Sequence, residues 1–269
     1  MTELMSPESR PAALSPTERR PAPLAGFGKL AFVETKLFLR ERAAVAALLG
    51  IPVALVIGFG LIPGFGKPSK TLSGQIGTEY IASLGVAIII AMMALNGIPQ
   101  VMGTYREKGI LRRLSATPVR PAMLMAAKLA VWLATVLVSV ALVIAVGRLA
   151  FGVPLPVQPG WFVLSIAAGV AALFALGLLV AAVTPTARAA TGIGMLLFFP
   201  NMFLAGVYYP AEQMSHALQV AGDYSPLGAA LHAIRQSWMG QQPHPLYLGI
   251  MAAWAVAASL AAARLFRWE

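Results

Sequence analysis

The stretch "YIASLGVAIIIAMMALNGIPQVMGTYREKGILRRLSATPVRP", residues 80–121, decides the class of fold. Residues 80–103 contain no Lys, Arg, Asp or Glu, and an uncharged apolar run of about 20 residues or more reads as a helix crossing a bilayer. Residues 105–121 then bring five cations, one carboxylate and prolines at 118 and 121, before the chain returns to Met, Ala and Leu. A span that ends in a cationic cluster marks a membrane surface, and the prolines force a stop before the next helix.

Working outward, five more uncharged windows follow the same rule, at residues 43–62, 129–147, 161–183, 189–209 and 246–263. The spans are accordingly drawn at 43–62, 80–103, 124–148, 161–183, 189–209 and 246–265, which predicts an all-α integral membrane protein with six transmembrane helices. The 269-residue chain is 58% hydrophobic and 11% charged, with mean hydropathy +0.76, against about a quarter charged residues in soluble domains. No ten-residue alternation of polar and apolar positions supports a transmembrane barrel. Residues 1–25, rich in Pro, Ser, Ala and Arg and without the apolar core of a signal peptide, read as a disordered cytoplasmic tail. Cysteine is absent, so disulfide and thiol chemistry are excluded.

The net charge of +10 is a matter of placement. With both termini inside, sixteen of the twenty cations fall on the cytoplasmic side, leaving only Lys67, Lys70, Arg148 and Arg235 outside. That asymmetry is the positive-inside pattern, and it sets the charge to orienting the chain in its membrane instead of binding nucleic acid.

Ahead of span one, residues 26–42 place Phe27, Ala31 and Phe38 on one helical face and Lys29, Lys36 and Arg40 on the opposite one, with Val33 and Glu34 spoiling the separation. This predicts a helix in the membrane interface; the plainer alternative is a basic flank that only orients span one. After span one, Gly66 and Lys67 imitate a phosphate loop, but Pro68 follows and the spacing from Gly60 is one residue too long, so the chain carries no ATP site of its own. Asn96 and Gln100, near the end of span two, are expected either to bond a neighbouring helix or to touch cargo. Pro200 and Asn201 sit near the centre of span five, where a kink serves either a translocation path or static packing. Tyr208 and Tyr209 fit an aromatic belt.

Between spans five and six, Leu227, Leu231, Ile234 and Trp238 recur at i, i+4, i+7 and i+11, with His232, Arg235 and Gln236 pointing elsewhere. Residues 211–240 therefore read as an outer region that dips into or lies on the interface, with Ser225 and Pro226 resembling an N-cap and N1 proline. His216, His232 and His244 lie there with Glu212 and Asp223, but without tight ligand spacing, so no metal site is assigned. The spans hold no carboxylate or histidine, against a proton-driven carrier or intramembrane enzyme.

Read as a helix, residues 105–118 gather Ile110, Leu111 and Leu114 on one side with Glu107 among them and Arg112 opposite, suiting a partner's groove better than lipid; a basic loop that merely holds topology is the alternative. This run resembles the segment between spans two and three in permeases of ABC-2 type exporters, through its Glu-Lys-Gly, Leu-Arg-Arg-Leu and Thr-Pro-Val elements. "FPNMFLAGVYYP" (199–210) and "YSPLGAALHAIRQ" (224–236) match that family in order and spacing. The resemblance implies an N-terminal elbow helix, a cytoplasmic coupling helix and outer re-entrant helices. It implies a second permease subunit, as homodimer or heterodimer, and two copies of a separate P-loop ATPase subunit that carries ATP and Mg, with none bound by this chain. Tyr105, Arg106, Glu107, Lys108, Gly109, Leu111, Arg112, Arg113, Leu114, Thr117 and Pro118 take the coupling role by position. Phe27, Lys29, Lys36, Phe38 and Arg40 form the elbow, and Asn96, Gln100, Pro200 and Asn201 are candidates for the translocation path. Among such permeases the daunorubicin-resistance type is most similar, which implies an amphiphilic drug, natural product or lipid as cargo, with a polysaccharide or other polar cargo as the alternative and an ion-gradient carrier less favoured.

Overall fold

The computed structural model describes residues 23–62, 77–110, 121–209 and 213–265. Among these, helices and their connections account for the whole fold, with no strand. They are α1 (Pro23–Arg40), α2 (Arg42–Gly60), α3 (Gly77–Met92), a π-helical turn (Met93–Gly97), α4 (Ile98–Glu107) and α5 (Pro121–Phe151). The second half comprises α6 (Pro159–Val183), α7 (Ala187–Leu204), α8 (His216–Asp223), α9 (Pro226–Trp238) and α10 (Pro245–Leu265).

Five helical runs are long and apolar enough to cross a membrane: Glu79–Glu107, Met123–Phe151, Pro159–Val183, Ala187–Leu204 and Pro245–Leu265. A sixth forms if α1 and α2, bent by 67° at their junction, count as one span. Local signals explain the ends. Pro159 opens α6 at a position where its missing N–H costs nothing, and Pro185 follows its last turn. Thr186 then caps α7, its hydroxyl accepting from the Ala189 N–H at 3.1 Å. Ser225 caps α9 in the same way through Gly228 N–H at 3.0 Å, followed by Pro226.

The run Glu79–Glu107 is the axis of the molecule. Its most apolar window is 83% buried, against 22% for α7 and for α10, and Ala82, Val86, Ala87, Ile89, Ile90 and Leu95 are wholly enclosed. Around it stand α2, α5, α6 and α7, while α10 lies along α6. Two glycines let backbones touch that axis. A Cβ on Gly177 of α6 would stand 2.0 Å from the Ala94 carbonyl oxygen, and one on Gly194 of α7 would stand 2.1 Å from that of Leu95. Both carbonyls belong to the π-helical turn, so this wide turn is the seat for α6 and α7.

The structure alters one sequence reading and decides another. Span two does not stop near residue 103 to let a separate helix begin at 105; one helix runs on through Glu107. It ends where Lys108 N donates to Thr104 O at 3.0 Å and Gly109 takes a left-handed φ of 62°, the backbone a glycine supplies without strain. Of the two positions expected for the outer helix α9, dipping in or lying on the interface, the structure has the first. Leu227, Leu231, Ile234 and Trp238 are buried, and so are Ala229, Ala230 and Ala233 on the other side. Arg235, expected to point away, is 5% exposed and lies 3.9 Å over the centroid of the Tyr80 ring. Small residues opposite the leucine stripe allow α9 to be packed all round by α3, α6 and α10.

Candidate functional site

The end of α4 collects the polar side chains that join the helices. Three consecutive residues there, Tyr105, Arg106 and Glu107, each reach a different element. Successive helical residues point about 100° apart, so three in a row can address three directions.

Tyr105 turns toward α1. Its hydroxyl donates to Glu34 Oε1 at 3.0 Å, while Lys128 Nζ of α5 donates to Glu34 Oε2 at 2.9 Å. Glu34 is 4% exposed and Lys128 7%. A buried carboxylate is tolerated only when paired and hydrogen-bonded, and here each oxygen has a donor from a different helix. Lys128 also lies 5.9 Å from the Trp132 ring centroid. One carboxylate thus fixes α1, α4 and α5 together.

Arg106 and Glu107 turn the other way, toward the bend between α6 and α7. Arg106 Nη1 donates to the carbonyl of Ala181 and, at 2.6 Å, to that of Thr184. Glu107 Oε1 accepts from the Ala187 N–H at 3.0 Å. These are complementary placements, a cation on the exposed carbonyls of a helix C-terminus and an anion on the free N–H groups of a helix N-terminus. Gly103 makes room: a Cβ there would meet Ala187 N at 2.6 Å.

A cleft of about 540 Å³ opens beside the Glu34 junction, lined by Arg40, Glu41, Gln100, Thr104, Lys108 and their neighbours from α1, α4 and α5. Lys108 is exposed and Ile110 half-buried. Leu111, Arg112, Arg113, Leu114, Thr117 and Pro118 lie outside the described residues.

On α1 the apolar face turns inward and the described cations turn outward. Phe38 is buried against the protein, Phe27 is half-buried, and Lys36 and Arg40 are exposed; the Lys29 side chain lies outside the described ones. Outward-facing apolar residues are Phe32, Val33, Leu37 and Leu39, the set a membrane interface covers. Glu34, which looked like a blemish in the pattern, shares the buried side with Phe38 one turn on. Its partners were each legible as polar residues, but nothing local announced that they meet.

The four residues proposed for a translocation path do not form one cluster. Gln100 lines the cleft beside α1. Asn96 belongs to the π-helical turn and its buried amide has no hydrogen-bond partner at either atom. It faces α7, with Oδ1 3.2 Å from where a Gly194 Cβ would stand. Pro200 is exposed within α7, and Asn201 Nδ2 donates to Leu197 O at 3.0 Å, leaving its buried Oδ1 without a partner. Asn96 therefore addresses α7, Gln100 lines the cleft beside α1, and the Asn201 amide is bonded within its own helix. At the opposite end of the bundle, His232 Nε2 lies 3.3 Å from Asp223 Oδ1 and stacks on Tyr247. No three metal-ligating side chains gather among the described residues.

An all-helical bundle of five or six membrane-length helices, with helices tied to one another at the polar end of α4, defines a multi-pass membrane protein. A model of the ABC-2 type transporter family matches residues 27–239, and the chain belongs to that family. It is 28% identical over 214 residues to nodulation protein J of Rhizobium leguminosarum bv. trifolii, the match covering 77% of this chain and 78% of that protein. Members of this family are membrane transport subunits, distinct from the ATP-binding cassette partner that the family implies.

Proposed function

We propose that this chain is the permease subunit of an ABC exporter, which carries an amphiphilic drug, natural product or lipid out of the cytoplasm with ATP hydrolysed by two copies of a separate subunit. Two permease subunits enclose the path, both termini face the cytoplasm, and the α4 end of the bundle faces the ATPases. The observation that carries this reading is the junction at Glu34. It makes α1, α4 and α5 move together immediately beside residues 105–118, so force applied there reaches three helices at once. An ATPase can bias inward and outward states only through contacts that differ between them, and a rigid junction turns such a contact into helix movement.

The cargo class is supported by α7. Its outer side exposes Leu196, Phe199 and Phe203. An apolar wall of this kind suits an oily molecule better than a polar polymer. The test is reconstitution with the ABC ATPase subunit that co-purifies with the chain, in vesicles with the ATPases outward. ATP added outside should drive a fluorescent anthracycline into the lumen. Failure of any ABC ATPase to co-purify overturns the assignment, and ATP-driven movement of a polysaccharide but not of the anthracycline overturns the cargo class.

A further inference from the structure

We infer that Arg106 and Glu107 are positioning residues that clasp the α6–α7 bend and make those helices follow the end of span two. This rests on the exporter reading above. On sequence, both residues pointed outward to a partner; in the structure their side chains are used within the chain. Arg106 holds carbonyls of Ala181 and Thr184, and Glu107 holds the N–H of Ala187. The three bonds straddle the bend, two on the end of α6 and one on the start of α7, with charges of the sign each end attracts.

The bend is short and stiff. Thr184 and Ala187 are separated by Pro185 and Thr186 alone, Thr184 Oγ1 is bound back to Val180 O at 2.9 Å, and Thr186 caps α7. Gly103 brings the α4 backbone against Ala187, so the clasp is closed by contact as well as by charge. Further back the same span seats α6 and α7 through Gly177 and Gly194. Span two therefore grips α6 and α7 at two levels, and the lower grip is the one nearest the ATPase. A displacement of the α4 end has to carry both helices with it or break three charge-assisted hydrogen bonds, which are stronger than neutral ones.

Hydrogen exchange measures the clasp directly. In the purified chain without an ATPase, Glu107→Ala should speed exchange of the Ala187 amide about fivefold, the loss expected of a helix-end acceptor. Glu107→Gln, which keeps an acceptor oxygen, should stay near the wild type. In the complex with the ATPase subunit, Arg106→Ala and Glu107→Ala should retain the ATPase and hydrolyse ATP. They should lose the change in protection over residues 184–204 that ATP with vanadate produces in the wild type. Arg106→Lys, which keeps the charge without the fork, should fall between. Unchanged Ala187 exchange in Glu107→Ala, a wild-type ATP response in both alanine variants, or no ATP response in the wild type would each overturn the clasp. Release of the ATPase by the variants would return the two residues to docking and overturn it too. If the wild-type chain binds no ATPase, the exporter reading fails, and Ala187 exchange still decides the clasp.

Discussion

Span two is held twice, by different physics. At residues 93–97 it is held by shape: bare carbonyls of Ala94 and Leu95 meet glycines of α6 and α7, with no side chain between them. At its end it is held by charge: Tyr105, Arg106 and Glu107 bond to α1, α6 and the start of α7. The first grip tolerates no added atom and has no polar bond to exchange. The second consists of bonds that can break and reform singly. A transporter needs both, a fixed fulcrum and a releasable coupling.

The largest effect should come from filling the fulcrum. Gly177→Val would drive side-chain carbons into the Ala94 carbonyl, whereas Gly50, with open space around it, should accept Ala without consequence. The expected outcome is loss of monodisperse protein on size exclusion for Gly177→Val and an unchanged profile for Gly50→Ala; equal profiles would show the contact to be soft. Next comes the charge grip. Glu34→Ala leaves Lys128 buried without its carboxylate, a change that typically costs about 3–5 kcal/mol. Adding Lys128→Met should recover most of that loss, and unfolding in mixed micelles would show it as a strongly non-additive cycle. Additive losses would mean that the two residues stabilise the fold independently. The smallest change is Tyr105→Phe, which removes one of the two donors to Glu34 while Lys128 keeps the other. About 1 kcal/mol is expected in the same unfolding measurement. A loss as large as that of Glu34→Ala would make the hydroxyl the dominant tie.

The membrane-length helices were legible because uncharged length is a local property, read from consecutive residues. The junctions were not, because their partners are distant in the chain. Glu34 meets Lys128 across 94 positions and Tyr105 across 71, so on sequence it could only look like an acid misplaced on an amphipathic helix. Arg106 and Glu107 carried the right signal, charges at a helix end, but the same signal serves an outside partner and an inside helix terminus alike. For α9 a clue between its two expected positions was present. Its leucine stripe is backed by Gly228, Ala229, Ala230 and Ala233, and Gly169 of α6 would bring a Cβ within 3.0 Å of the Ala230 Cβ. A helix that is small on one side and large on the other is built for enclosure, not for a surface. The π-helical turn left no trace, since no residue type in "MALNG" demands it.

That turn also sets the phase of everything beyond it. A π turn is a helix with one residue more per turn than its neighbours require, so α3 and α4 are aligned across an inserted position. Removing one residue within 93–97 would shorten the span while leaving the directions of its two ends alike. Removing one residue anywhere in residues 98–104 would instead rotate Tyr105, Arg106 and Glu107 by about 100°, away from Glu34, Thr184 and Ala187 together. Length in this span is thus negotiable at one place only, and that place is where the neighbouring backbones already touch.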